Sequence, residues 1–166
     1  VKGETKINAS VLTPFDIAKK YLTPTGRVFG YDETLEQLWK ALPNYVQHDV
    51  LAISDTSSSM DGDPMLMSVA LGVYFAQRST GAFKNEVVSF NSNPEFIDLS
   101  KCKTLHEAFT AMSKISWGRS TNFTLVYEKL LAAAKCNGAK QEDMPKFLIC
   151  ISDMAFNQAG GQTPFS

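Results

Sequence analysis

Two short runs of consecutive apolar residues constrain the fold of this chain more than any other feature. They are residues 50–53 and 147–151, and each is bounded by polar residues. A strand with one face in water alternates between apolar and polar residues, whereas a strand buried on both faces of a parallel sheet is continuously apolar. The two runs therefore predict buried strands of a parallel sheet.

The segments between these runs add helices and two further strands. The predicted elements are a largely buried helix after Pro64, a strand over 84–90, a strand over 95–99 antiparallel to it, a helix opened by a Thr104–Glu107 capping box, and a helix over 122–136. Alternation of this kind indicates an α/β fold with helices on both faces of the sheet. We expect a Rossmann-like, doubly wound sheet that is mainly parallel and has one antiparallel edge strand.

The first 48 residues have a different pattern, which predicts two amphipathic helices. Thr13 and Pro14 form a cap and first position for one helix, and the second helix ends at Pro43. We therefore divide the chain into a helical N-terminal extension, residues 1–48, and an α/β domain, residues 49–166. The extension is expected to pack on that domain.

Charge narrows the classes of partner that we expect, and cysteine content narrows the redox environment. The 16 basic and 17 acidic residues leave a net charge of −1, which gives no signal for nucleic acid or an anionic membrane. No apolar run approaches the roughly 18–20 residues of a membrane helix. The three cysteines form neither a zinc pattern nor a close pair, so we expect free thiols in a reducing, cytoplasmic setting.

The strongest chemical signal is an Asp-x-Ser-x-Ser motif directly after the first apolar run. It consists of Asp55, Ser57 and Ser59, whose spacing lets one loop turn three oxygen atoms toward one point. One carboxylate with hydroxyls is a hard-oxygen set, suited to Mg²⁺, Mn²⁺ or Ca²⁺. Ligands of open α/β sheets bind beyond the carboxyl ends of the strands, where this motif lies.

Two more oxygen donors occupy comparable places. Thr121 precedes a predicted helix, and Asp153 follows the last apolar run. If the three loops converge, they hold one divalent cation with few protein charges and many hydroxyls. Such a cation would accept a carboxylate from a partner at an open coordination position.

These residues resemble the metal-ion-dependent adhesion site of von Willebrand factor A domains, as in integrin I domains. The resemblance covers residues 49–156 and is closest to the intracellular domains of Ro/TROVE-type proteins and a related viral and eukaryotic family of unknown function. It implies a von Willebrand A-type sheet in which Asp55, Ser57, Ser59, Thr121 and Asp153 surround the metal. It also implies that the domain is incomplete after residue 156, and that Ser58 stands where many members have glycine.

Neighbouring residues suggest how a partner would be selected. Met60, Trp117 and Arg119 flank the motif and the second loop, and we expect them to form a rim around the metal. The alternative for Trp117 and Arg119 is ordinary packing and solvation. Met65 and Met67 are expected to fill the core, and Asp63 to cap the helix that Pro64 begins.

We interpret the chain as a non-enzymatic, metal-dependent protein-interaction module that captures an Asp or Glu side chain of a partner. The alternatives are a ribonucleoprotein component, or a structural scaffold in which the motif is vestigial and Asp55 only caps a turn. A metal-assisted phosphohydrolase is the weakest reading. Its Asp-x-Asp pattern is missing because Ser57 holds the second position, and the chain has no phosphate-binding Gly-rich loop.

Overall fold

The computed structural model describes residues 12–91, 93–115 and 123–153. Its α-helices and β-strands in chain order are α1 (Pro14–Tyr21), α2 (Glu33–Ala41), β1 (Val50–Asp55), α3 (Asp63–Arg78), β2 (Glu86–Phe90), β3 (Phe96–Asp98), α4 (Leu105–Ser113), α5 (Phe123–Cys136) and β4 (Phe147–Ile151). One turn of 3₁₀-helix, Ser58–Met60, follows β1, and another, Gln141–Asp143, precedes β4. No helix in these ranges is both long enough and apolar enough to span a bilayer.

The four strands form one sheet in the order β3-β2-β1-β4. Strand β1 pairs in parallel with β2 on one side and with β4 on the other, and β3 is the antiparallel edge strand beside β2. The predicted Rossmann-like α/β fold, mainly parallel with one antiparallel edge strand, is therefore confirmed. Because β1 has a parallel neighbour on each side, its carboxyl end lies between the carboxyl ends of β2 and β4.

Successive residues of β1 face opposite layers of helices, as the pleat of a strand requires. Leu51 and Ile53 pack in a cluster with Val126 and Leu130 of α5, while Val50 belongs to the larger cluster around α3. Both faces of β1 are thus covered, which is why this strand is continuously apolar. Strand β4, which we also expected to be buried, is only partly buried.

Helix α3 lies unusually close to the sheet. A Cβ at Gly72 would lie 3.3 Å from the Cβ of Ser54 and 3.4 Å from Cγ1 of Val87. One turn earlier, the buried hydroxyl of Ser68 lies 2.8 Å from that of Ser54 and also donates to the Ile151 carbonyl at 3.3 Å. These contacts join α3 to β1 and to the end of β4.

The two N-terminal helices share the core of the helices that follow them. Ile17, Tyr21 and Trp39 are buried in the same cluster as Met65 and Phe109. The predicted start of α1 is confirmed, since Thr13 and Asp16 form a reciprocal capping box in front of Pro14. The expected packing of this region on α3 and α4 is observed.

Three local expectations differ from the structure. Helix α3 begins with Asp63, and its N-cap is Gly62 at φ +91°, so Asp63 is not the cap; a cap with positive φ favours glycine. At α4, Thr104 accepts a hydrogen bond from the Glu107 N–H, but the Glu107 carboxylate accepts from Lys103 N–H instead of Thr104 N–H.

The third difference is Met67, which is 43% exposed although we expected it in the core; Met65 is buried as expected. Met67 follows Met65 by two positions, so a helix turns the two side chains to different faces. Ser58 does not have a positive φ, because within the described ranges the non-glycine residue with a positive φ is Asn85. Serine therefore fits at this position, where many von Willebrand A domains have glycine.

Candidate functional site

Asp55 ends β1 at the centre of the carboxyl edge of the sheet. It is fully buried, with 0% exposure, and the next two residues, Thr56 and Ser57, are buried as well. A carboxylate removed from water needs hydrogen bonds or a cation to offset the loss of hydration. The surroundings of Asp55 therefore decide what it can do.

Both carboxylate oxygens of Asp55 accept hydrogen bonds. Oδ1 accepts from the Ser57 backbone N–H at 2.9 Å, an Asx turn that bends the chain out of the strand. Oδ2 accepts from the hydroxyl of Ser152, which follows β4. A carboxylate has about four lone-pair positions, so these two bonds leave acceptor capacity for a cation.

The two serine hydroxyls of the motif form a hydrogen bond with each other. Ser57 Oγ and Ser59 Oγ lie 2.9 Å apart; Ser57 is buried and Ser59 is exposed. Oxygen atoms that bind Mg²⁺ at about 2.0–2.1 Å in adjacent octahedral positions are about 2.9 Å from each other. The spacing of this pair fits two neighbouring ligands of such an ion.

The register of β4 explains why Ser152 contacts Asp55. Ser54 pairs with Ile151, so the next positions along the two parallel strands are Asp55 and Ser152. The sequence Ile-Ser-Asp occurs at the end of β1, residues 53–55, and again at residues 151–153, where β4 ends at the isoleucine; the pairing of the two copies is offset by one residue. Asp153 comes next and is exposed beside the site. Sequence reasoning named Asp153 and missed Ser152, because pairing register cannot be read from one strand.

Asn91 lies on the other side of β1 and was also missed. It is 1% exposed and its Nδ2 donates to Thr56 Oγ1 at 3.3 Å, while its Oδ1 accepts from Asn93 N–H at 2.8 Å. The sequence indicated only a turn at this position. The hydrogen bond from Asn91 to Thr56 thus links the end of β2 to the loop after β1.

The remaining predicted site residues divide into two groups. Met60 is described: it is 3% exposed and lines a groove beside the site. Thr121, Trp117 and Arg119 lie outside the described residues, so their predicted roles stay predictions.

Further candidates for acid-base or nucleophilic chemistry among the described residues are Cys150 and the two histidines. Burial, and secondarily the charge of Asp55, raises the pKa of Cys150 to about 11, so its thiol stays protonated at neutral pH. His106 Nε2 lies 3.0 Å from the Phe29 carbonyl oxygen, and His48 packs on the ring of Phe147 at the start of β4. Both histidines are thus engaged elsewhere.

Within the described ranges, no three His, Cys, Asp or Glu side chains are grouped as metal ligands. A zinc-type centre is therefore not found in that part of the chain. The arrangement at Asp55 is of another kind, one carboxylate with serine hydroxyls. Donor sets of this composition are suited to hard cations.

Comparison with known proteins gives the family but no activity. Residues 49–165 match the family described as Domain of unknown function (DUF7788). The chain is also 31% identical over 162 residues to an uncharacterized protein, L728, of Acanthamoeba polyphaga mimivirus. That match covers 95% of this chain and 27% of the viral protein, so the chain spans about a quarter of its relative. The chain belongs to the DUF7788 family.

Proposed function

We propose that the chain is a non-enzymatic interaction module that holds a divalent cation at Asp55 and uses it to capture an Asp or Glu side chain of a protein partner. The observation that carries this proposal lies at the carboxyl end of β1: Asp55 Oδ1 accepts a hydrogen bond from the Ser57 backbone N–H, and the hydroxyl oxygens of Ser57 and Ser59 are 2.9 Å apart. Mg²⁺ is the expected cation, with Mn²⁺ or Ca²⁺ as substitutes.

The charge of this donor set favours an anionic partner. Asp55 supplies one negative charge and the hydroxyls supply none, so a divalent cation held by Asp55, Ser57 and Ser59 alone keeps a net positive charge. A carboxylate from a partner would complete both its charge and its coordination. The resemblance to von Willebrand A domains supports the same reading and adds Thr121 and Asp153 as further ligands.

The alternatives receive less support from the described residues. Hydrolysis of a phosphoester requires an activated nucleophile or water and cationic groups for the phosphate. Ser57 stands where a second carboxylate would be needed, and both histidines contact other parts of the fold. A ribonucleoprotein role would be expected to bring a basic surface, whereas the net charge is −1.

The first test is thermal unfolding of the chain in Mg²⁺, Mn²⁺, Ca²⁺ or EDTA. A ligand that binds only the folded state adds about 2.7 kcal/mol to the free energy of unfolding at a hundredfold excess over its Kd. We expect a metal-dependent rise in Tm that Asp55→Asn abolishes. Asp61→Asn is the matched control, because it removes a nearby exposed carboxylate and should keep the shift. A wild-type protein that melts identically in every metal and in EDTA contradicts the proposal.

A further inference from the structure

An apolar groove of about 440 Å³ lies beside the candidate cation site. Its apolar walls come from four elements: Phe15 of α1, Met60 of the 3₁₀ turn, Met67 of α3 and Ile151 of β4. Helix α1 therefore contributes to this surface as well as to the core. The volume lies in the range of pockets that bind small ligands or single large side chains.

The groove is continuous with the cation site. Ser152 lines the groove, and the same hydroxyl donates to Asp55. Met60 also lines it, and Met60 directly follows Ser59, the outermost hydroxyl of the motif. A molecule that places a carboxylate on the cation would thus have its neighbouring atoms over the groove.

Met67 is an exposed apolar residue of α3 that lines the groove. The apolar side chains of α3 that face the sheet and α1 are buried, whereas Met67 points outward and is 43% exposed beside Pro64. A single exposed apolar residue is ordinary, but this one belongs to a concave apolar surface. Methionine side chains are flexible and polarizable, so Met60 and Met67 can adapt to apolar groups of different shape.

The charges around the groove decide which occupant it admits. Asp63 and Asp153 lie on its lining, and Lys19 pairs with Asp63 at 3.6 Å. Without a cation, these carboxylates and Asp55 repel an acidic segment. A divalent cation would offset their charge and offer a coordination position, so an acidic segment binds only with the metal, whereas a purely apolar ligand needs no metal.

From these observations we infer that the site recognises two adjacent residues of a partner: an Asp or Glu that binds the cation, followed by a large apolar residue that enters the groove. This inference rests on the proposed function and adds the class of partner segment. The N-terminal helix α1, through Phe15, is part of the specificity-determining surface.

Three synthetic hexapeptides test the inference, with central residues Asp-Leu, Asp-Ser or Asn-Leu between glycines. Binding is followed by NMR of ¹³C-methyl methionine, since the chain has six methionines. The signals of Met60 and Met67 report on the groove. Met65 lies on α3 like Met67 but is only 1% exposed, so its signal is the internal control. With Mg²⁺, we expect Asp-Leu to bind about tenfold more tightly than Asp-Ser and to shift the Met67 signal.

A pair of variants locates the apolar contact. Met67→Ser is expected to lower the affinity for Asp-Leu to that for Asp-Ser and to leave Asp-Ser binding unchanged. Leu131→Ser is the matched control, because Leu131 is similarly exposed, at 52%, on α5. It should not alter binding of either peptide.

The outcomes separate the inference from the function on which it rests. Equal Mg²⁺-dependent binding of Asp-Leu and Asp-Ser, with an unmoved Met67 signal, overturns the groove and leaves cation-mediated capture standing. Absence of Mg²⁺-dependent binding of both Asp peptides overturns the proposed function as well. If Asn-Leu binds as tightly as Asp-Leu and does so without metal, the inference that two adjacent residues are recognised is overturned. A Met67 shift that depends on protein concentration alone overturns it too, because a second copy of the chain then covers the groove.

Discussion

The buried carboxylate of Glu36 on α2 accepts a hydrogen bond at 2.7 Å from the backbone N–H of Leu105, the first residue of α4 and 69 positions later in the chain. The same carboxylate accepts from the next N–H, that of His106, at 2.9 Å. The hydroxyl of Tyr21 on α1 lies 2.9 Å from Glu36 Oε1. One side chain thus caps a distant helix and joins three helices, and the negative charge lies at the favourable end of α4.

Glu36→Gln should therefore lower the free energy of unfolding. The amide keeps one acceptor oxygen but loses the charge that two backbone N–H groups share, and hydrogen bonds to charged groups contribute about 1.5–3 kcal/mol. We expect a loss of about 1–3 kcal/mol in urea unfolding. Glu128→Gln on α5 is the control; Glu128 is exposed, and a change there should stay within about 0.5 kcal/mol. Equal effects of the two variants would contradict a capping role for Glu36.

Ser152→Ala should weaken metal binding without unfolding the chain. The Ser152 hydroxyl orients Asp55 Oδ2, and loss of a group that orients a metal ligand lowers affinity by about 10–100-fold. Titration calorimetry with Mn²⁺ measures the change. Ser113→Ala serves as control, since Ser113 bonds only to the Thr110 carbonyl among the contacts described for it, on α4. Unchanged Mn²⁺ affinity in Ser152→Ala would show that Ser152 plays no part in metal binding.

Glu86→Gln should raise stability, and more so as the pH rises. Glu86 on β2 stands opposite Asp98 on β3, and burial together with the Asp98 charge raises the pKa of Glu86 above 4.5. A carboxyl whose pKa is raised by folding binds more protons in the folded state, so stability falls as pH rises through that pKa. The Gln variant has no carboxyl at this position, so it lacks this loss of stability at higher pH.

The expected gain is about 0.2–1 kcal/mol at pH 7.5, the scale of one cross-strand pair, and it should shrink at pH 4. Urea unfolding of both proteins at the two pH values measures it. Glu95→Gln, an exposed carboxyl in the loop before β3, is the control. A gain that is the same at both pH values would mean that the charge of Glu86 is not its cause.

Gly81→Ala should destabilise the chain more than Gly138→Ala. Both glycines have positive φ, +84° and +62°, so both variants incur the left-handed penalty of about 1–2 kcal/mol. At Gly81 the added Cβ would also lie 2.2 Å from Asp49 Oδ2, whereas nothing lies within 4 Å at Gly138. The difference in the free energy of unfolding between the two variants measures the cost of moving Asp49. Equal losses would show that Asp49 moves freely.

Patterns within single segments were sufficient to predict the elements of the fold. Thr13 and Pro14 mark the start of α1 because a cap acts on the next few residues. The apolar run Phe147–Ile151 is a strand as predicted, but it lies at an edge of the described sheet and is only partly buried, with Phe147 51% exposed. The strand after residue 94 was predicted antiparallel from the short turn before it. These features depend on residues that are neighbours in the chain, and so they can be read from it.

Patterns over longer distances were not sufficient. Asp63 was expected to cap α3, but the backbone at Gly62 begins the helix one residue earlier. Met67 was expected in the core, because an almost wholly apolar helix does not show which of its faces the sheet and α1 will cover. The composition of α3 is compatible with both outcomes. The exposure of Met67 depends on which faces of α3 pack against the sheet and α1.

By itself, the sequence determined the kinds of element, their order, the mainly parallel sheet and the place of Asp55, Ser57 and Ser59 after a buried strand. Only the tertiary structure decided that Ser152 bonds to Asp55 and that Glu36 caps α4. The reason is physical: local hydrogen bonds and periodic burial follow from adjacent residues. Strand register and helix docking, in contrast, are set by packing between segments that are far apart in the chain.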